Sequence, residues 1–165
     1  MTNFKSIWSI PLLTVCALTL SACSDDETKG ESDEIQKVEN TGLIEAVTGK
    51  VPGIGLTTNE DGTVPLTEDN LRKMAAVTEL DLSECELTDL SGIEYFTGLV
   101  TLDCSGNKLT SLDFSASSAT ATKAANSAGL TALKELDCSD NQLTSVSVSN
   151  LPALEDLDCG QNRLT

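Results

Sequence analysis

The chain has 165 residues, a formal net charge of −16 and no histidine. That balance excludes nucleic acid and anionic membrane surfaces as ligands, because both need basic patches, and the missing imidazole removes histidine-based catalysis. Aromatic residues make up only 3% of the chain, and beyond residue 22 they are Tyr95, Phe96 and Phe114, which supplies a sugar-stacking platform poorly.

The first 22 residues read as a removable segment. A weakly basic start is followed by an apolar stretch, residues 7–20, that Ser9 and Pro11 interrupt and that is too short to span a bilayer. The sequence Leu20-Ser21-Ala22-Cys23 then resembles the lipobox of bacterial lipoprotein signal peptides. The resemblance implies that residues 1–22 are removed and that Cys23 becomes a lipidated first residue. Removal takes away Lys5 and no acid, which leaves a net charge of −17. Several acyl chains anchor stably, since each buried CH₂ contributes roughly 0.8 kcal/mol while one chain alone binds marginally.

Residues 24–41 carry Asp25, Asp26, Glu27, Glu31, Asp33, Glu34 and Glu39 against Lys29 and Lys37, with few apolar side chains. Together with Cys23 they are expected to form an acidic disordered tether, residues 23–41. Such a segment averages about 23 Å end to end and reaches roughly 60 Å when stretched. Ser24-Asp25-Asp26-Glu27 also resembles the acidic export signal of some Gram-negative lipoproteins. That implies a lipid anchor in the bacterial outer membrane, with the protein displayed on the surface and touching the membrane only through its lipid.

Residues 42–76 are expected to form a small N-terminal cap. Gly49, Pro52, Gly53, Gly55 and Gly62 break the first part into turns. Thr67 then starts a short helix running to about Ala76, with Glu68 and Asp69 in its first turn and Arg72 and Lys73 near its end. Leu66 and Leu71 stand at the spacing of a hydrophobic staple. Thr57, Asn59, Asp61, Gly62, Val64 and Glu68 have the spacing of an EF-hand loop and resemble the calcium-loop-like cap ahead of some repeat domains. Thr57 at the first ligand position and the absent entering helix make the loop degenerate. Asn59, Asp61 and Glu68 are therefore a weak calcium candidate, and no other metal or cofactor is expected.

From residue 77 one phrase recurs. Val77-Thr-Glu-Leu80-Asp-Leu82-Ser-Glu-Cys85-Glu-Leu87 is followed by Leu99-Val-Thr-Leu102-Asp-Cys104-Ser-Gly-Asn107-Lys-Leu109. Leu133-Lys-Glu-Leu136-Asp-Cys138-Ser-Asp-Asn141-Gln-Leu143 and Leu154-Glu-Asp-Leu157-Asp-Cys159-Gly-Gln-Asn162-Arg-Leu164 complete the series. All four fit L-x-x-L-x-L-x-x-N/C-x-L, the leucine-rich repeat. No phrase buries its apolar face alone, so the copies must stack. The expected fold is an α/β-type solenoid: a short curved stack over residues 77–165, with a parallel concave β-sheet behind the small N-terminal cap. Second leucines are spaced 22, 34 and 21 residues apart, and the long interval places an insertion of Ser, Ala and Thr at 115–128, on the outer side of the stack.

Four cysteines lie inside the phrases. Cys104, Cys138 and Cys159 replace the inward Leu82 as small buried hydrophobes, and they are expected to stay free, since in-register parallel neighbours point their Cβ atoms the same way. Asn107, Asn141 and Asn162 should form a buried ladder bonding turn backbone, with Cys85 in the first copy unable to match it.

Residues 87–109 closely resemble internalin-type bacterial leucine-rich repeats, and the Leu-Asp-Cys-Ser-x-Asn-x-Leu-Thr variant resembles the repeats of surface lipoproteins with this domain. The likeness covers residues 64–165 and implies fold and surface display, because the shared residues build the stack. Strand alternation sends Asp81, Asp103, Asp137 and Asp158, and beside them Glu79, Thr101, Glu135 and Asp156, to the concave face. These eight residues are the expected binding surface for another macromolecule, a protein with a basic face. No nucleophile–base pair points to an enzyme. The alternatives are a structural spacer of the envelope, or a fragment of a larger protein whose activity lies downstream. No polar capping coil follows Leu164, so either the reading frame continues or the edge pairs with another copy.

Overall fold

The computed structural model describes residues 36–115 and 129–165. The signal segment, Cys23 and most of the tether lie outside the described residues, as does nearly all of the 115–128 insertion.

The folded part begins earlier than the tether boundary suggested. Strand β1 (Lys37–Val38) pairs antiparallel with β2 (Val64–Pro65), and Val38 is buried. Helix α1 (Thr41–Lys50) follows, where glycine-driven turns were expected. The Asn40 side chain accepts from Leu43 N at 3.0 Å, and its amide donates to Asp89 Oδ1 at 2.9 Å, so one residue caps the helix and ties it to the first repeat. Gly42 and Gly49 weaken the helix intrinsically. Burial of Leu43, Ile44 and Val47 along one face offsets that cost. Helix α2 (Glu68–Ala75) forms where its cap predicts: Thr67 Oγ1 accepts from Asn70 N at 3.2 Å. Asn70 is itself fully buried. It accepts from Thr57 N and donates to the carbonyls of Thr57 and Pro65, each at 2.9 Å, which fastens the glycine-rich loop to the helix.

Four strands come from the four phrases: β3 (Glu79–Asp81), β4 (Thr101–Asp103), then β6 (Glu135–Asp137) and β8 (Asp156–Asp158). They pair in parallel in the order β3-β4-β6-β8, with Leu80, Leu102, Leu136 and Leu157 in one row. Because β4 pairs directly with β6, the 34-residue interval leaves the register intact. Between them lies β5 (Ser111–Asp113), which pairs in parallel with β7 (Ser145–Ser147) in a second sheet that the repeat phrase did not announce. Leu112 on β5 is buried and its partner Val146 is partly buried, so these short strands close the core on another side.

Leu80, Leu82, Leu99, Leu102, Leu109, Leu133, Leu136 and Leu143 are each at most 2% exposed. Each such side chain contributes roughly 1.5–3 kcal/mol. Asn107 and Asn141 sit among them with full hydrogen-bond complements. Asn141 Nδ2 donates to the carbonyls of Cys104, Cys138 and Ser139 at 2.9, 3.2 and 3.0 Å, while its Oδ1 accepts from Leu109 N at 3.0 Å. Each ladder amide thus bonds its own turn and the coil before it. Cys85 has no coil before it, so the first copy needs no such bridge. Its own N–H is met from the next coil by Asn107 Oδ1 at 3.1 Å.

Candidate functional site, the solvent face of the four-stranded sheet

Parallel pairing brings all eight residues of the expected binding surface together. Glu79, Thr101, Glu135 and Asp156 are register partners, as are Asp81, Asp103, Asp137 and Asp158. Strands about 4.8 Å apart set the spacing of each row. Adjacent unit charges at that distance repel by about 0.9 kcal/mol in water and roughly 3.5 kcal/mol at an effective dielectric of 20, the lower figure suiting this exposed face.

The second row differs from a set of free carboxylates. Oδ1 of Asp81, Asp103 and Asp137 accepts the backbone N–H of Ser83, Ser105 and Ser139, each at 2.9 Å, and also the serine hydroxyl at 2.5, 2.6 and 2.7 Å. Asp158 accepts Gly160 N at 2.8 Å. Each aspartate therefore closes the turn leaving its strand, and only its remaining oxygen is open to a ligand. An Asp followed two residues on by Ser is the signal that could have shown this role. The same two bonds to Ser83, aided by Lys50, hold the Asp81 carboxyl below its ordinary value of 3.8. Lys50 Nζ lies 3.4 Å from Asp81 Oδ1 and, among the described residues, is the only cation bridged to these eight.

Other charged columns behave differently. Glu86 meets Lys108 of the next coil at 3.1 Å, and Lys134 meets Glu155 at 2.9 Å. Off the sheet face these two pairs bridge neighbouring coils, while Glu84 and Asp140 carry no ion pair among the described residues. On the sheet face seven carboxylates of one sign stand in two rows.

Cys104 and Cys138 are fully buried free thiols that donate to the carbonyls of Asp137 and Asp158, each at 3.2 Å. Burial and the neighbouring thiol push Cys138 up to about 12, and the same causes raise Cys104 further. Neither is a nucleophile at neutral pH. Cys85 and Cys159 are free and partly exposed.

Asn59 and Asp61 of the calcium candidate have partners within and beside their loop. Asn59 Nδ2 donates to Thr63 Oγ1 at 2.9 Å, while Asp61 Oδ1 accepts from Thr63 N at 3.0 Å and Oγ1 at 2.5 Å. Lys37 Nζ lies 3.3 Å from Asp61 Oδ2. Glu68 belongs to the first turn of α2. Asn59 and one oxygen of Asp61 thus bond within the turn, and the other Asp61 oxygen faces Lys37. Among the described residues, no three His, Cys, Asp or Glu side chains gather as a metal site.

In-register phrases, an asparagine ladder and a parallel sheet define a bacterial leucine-rich-repeat domain with a solenoid-like fold. Residues 63–162 match the family described as the endo-beta-N-acetylglucosaminidase EndoS LRR domain, and the chain belongs to that family. Among solved structures it is similar to an internalin, InlF, of Listeria monocytogenes, with 20% identity and a TM-score of 0.51 over 75% of this chain and 31% of that one. It is also similar to the functional domain of InlJ from Listeria monocytogenes, described as including a cysteine ladder, with 35% identity and a TM-score of 0.38 over 62% of this chain and 24% of that one. This chain thus spans under a third of either internalin. No curated protein matches it.

Proposed function

We propose that this is a lipid-anchored protein of the bacterial cell envelope whose repeat domain binds a protein with a basic face on the acidic side of its four-stranded sheet. The observation that carries the reading is the concentration of one sign: seven carboxylates stand in two rows on the sheet face with Lys50 the one cation bridged to them among the described residues, whereas Lys108 and Lys134 elsewhere each pair with a glutamate of the neighbouring coil. Repulsion retained along two rows is relieved by a cationic partner, which the same field steers. A preformed sheet also limits the ordering cost of binding. The lipobox-like Leu20-Ser21-Ala22-Cys23 and the acidic residues after it support lipidation at Cys23 and outer-membrane surface display.

The test replaces Asp81, Asp103, Asp137 and Asp158 by Asn, which keeps an oxygen for each turn and removes the charge. Envelope and host extracts are passed over both proteins. Wild type is expected to retain basic proteins at low salt and to release them as salt rises, while the variant retains little. Equal retention at low salt would refute the reading. Incorporation of labelled palmitate that disappears in Cys23→Ala tests the anchor.

A second reading treats the domain as one module of a longer protein. The family is named for the repeat domain of a larger enzyme, and the chain spans only part of the internalins it resembles. Basic partners lost on charge removal favour the first reading.

A further inference from the structure

Beside the first repeat strand, the ends of both helices border an open groove of about 580 Å³. Helix α1 stops at Lys50, where Val51 N–H closes the last turn on the Val47 carbonyl at 2.8 Å and Pro52 cannot extend it. Gly53, at φ 87°, turns the chain back so that Ile54 N–H reaches the Val51 carbonyl at 3.2 Å. Helix α2 ends in the short side chain of Ala76, which leaves the space open. Val51, Pro52, Ile54, Ala76 and Val77 make the apolar lining. Two charged side chains also line the groove, Lys73 and Glu79. Lys73 is engaged, with Asp69 at 2.6 Å and with the Gly55 carbonyl at 2.7 Å. Glu79 is exposed and carries no ion pair among the described residues. It heads the sheet-face row that continues through Thr101 to Glu135 and Asp156.

We propose that this groove anchors an apolar side chain of the size of leucine on the basic partner, whose lysine or arginine residues run from it over Glu79 onto the sheet face. The inference rests on the sheet-face reading above and names what lies at one end of that footprint. Charge selects the occupant. Both helices bring their C-terminal ends to the groove, and the carbonyl end of a helix carries negative potential, which adds to that of Glu79. The cations nearest these ends do not cancel it. Lys50 is committed to Asp81 and Lys73 to Asp69, while Arg72 does not line the groove. A fatty acid or an acidic peptide would bring like charge to Glu79, whereas an apolar anchor next to a cation satisfies both parts of the lining. Binding energy concentrates in such an anchor, while charges at the rim chiefly steer.

The test titrates the full chain by calorimetry with the peptides acetyl-Leu-Lys-Lys-Lys-amide and acetyl-Lys-Lys-Lys-Leu-amide, each against its counterpart with glycine in place of leucine. One of the two leucine peptides is expected to bind at least about tenfold tighter than its counterpart, the low end of what burying a leucine side chain supplies. That ratio should hold as salt rises while both affinities fall, because only the lysine contacts are screened. Amide NMR signals of Ile54 and Ala76 should shift with the leucine peptide and not with the glycine one. Thr78 is exposed and also lines the groove, so Thr78→Phe should fill it and bring the two affinities together. Leucine and glycine peptides that bind equally well overturn the anchor and leave the sheet-face reading standing. A leucine advantage that survives Thr78→Phe, with no shifts at Ile54 and Ala76, puts the apolar contact elsewhere and overturns the anchor too. Failure of every peptide to bind at low salt overturns both.

Discussion

The carboxylate of Asp103 and the backbone of Ser105 form a closed turn at the end of β4: Oδ1 takes the Ser105 N–H at 2.9 Å and its hydroxyl at 2.6 Å. One acidic side chain is thereby both a structural cap and part of the acidic face. The two roles separate by substitution. Asp103→Ala should cost about 1–2 kcal/mol, because it strands the Ser105 N–H, whereas Asp103→Asn should cost less than half as much. Urea unfolding of both variants decides it, and equal losses would show that the charge, not the acceptor, holds the turn.

The asparagine ladder should be far less tolerant. Asn141→Ala removes three donated bonds and one accepted bond inside the stack, and a loss of at least about 3 kcal/mol is expected. Cys85→Ala occupies the same repeat position with no coil before it and should cost under about 1 kcal/mol. Denaturant midpoints of the two variants give the comparison. Similar losses would mean that bridging between coils is not what the amides supply.

Stability should fall in acid through the turn carboxylates. Asp61 is lowered from 3.8 to about 2, chiefly by the hydroxyl and N–H of Thr63 and then by Lys37. Asp69, Asp81 and Asp113 are also lowered, each through hydrogen bonds before charge. A carboxyl depressed by folding stabilises fully above its unfolded value and loses that contribution as pH falls through its folded value, here between about 4 and about 2. Urea midpoints across that window should drop more steeply for wild type than for Asp61→Asn. Parallel curves would remove Asp61 from the account.

Thiol reactivity should follow position in the stack. At pH 8 iodoacetamide is expected to label Cys85 and Cys159 and to leave Cys104 and Cys138 untouched until the protein unfolds, since both of the latter are fully buried with raised pKa values. Peptide mapping by mass spectrometry reads the four sites. Labelling of Cys138 in the native protein would mean that the last coil opens readily.

Cap and first repeat meet where no side chain fits. A Cβ at Gly98 would collide with the carbonyl oxygen of Ala75, with backbone fixed on both sides. Gly98→Ala should therefore cost about 2 kcal/mol, read as a lower melting temperature. An unchanged value would mean that α2 shifts freely against the stack.

Much of this was legible in the residues, because repetition is a strong constraint. Once leucines recur in L-x-x-L-x-L, alternation along a strand sends the intervening Glu79, Asp81 and their equivalents outward, and stacking puts them in rows. Helix α2 was equally readable from Thr67 and the charges around it. Helix α1 was not, since Gly42 and Gly49 argue against a helix and only the packing of Leu43, Ile44 and Val47 makes one. Strands β5 and β7 were missed because three-residue segments such as Ser111–Asp113 carry no periodicity of their own. The partners of the calcium-like loop were likewise not legible: Asn59 and Asp61 have ligand spacing, and only the fold brings Thr63 and Lys37 to them.

The amino-acid order alone determined the number of coils, the residues each turns inward and the identity of the acidic rows, because a fixed phrase admits only one register when its leucines must be hidden. Tertiary structure decided which groups remain free to act. Hydrogen bonds between residues two apart claim one oxygen of each row aspartate, those between coils occupy the amides of Asn107 and Asn141, and such assignments exist only once neighbouring backbones stand within bonding distance.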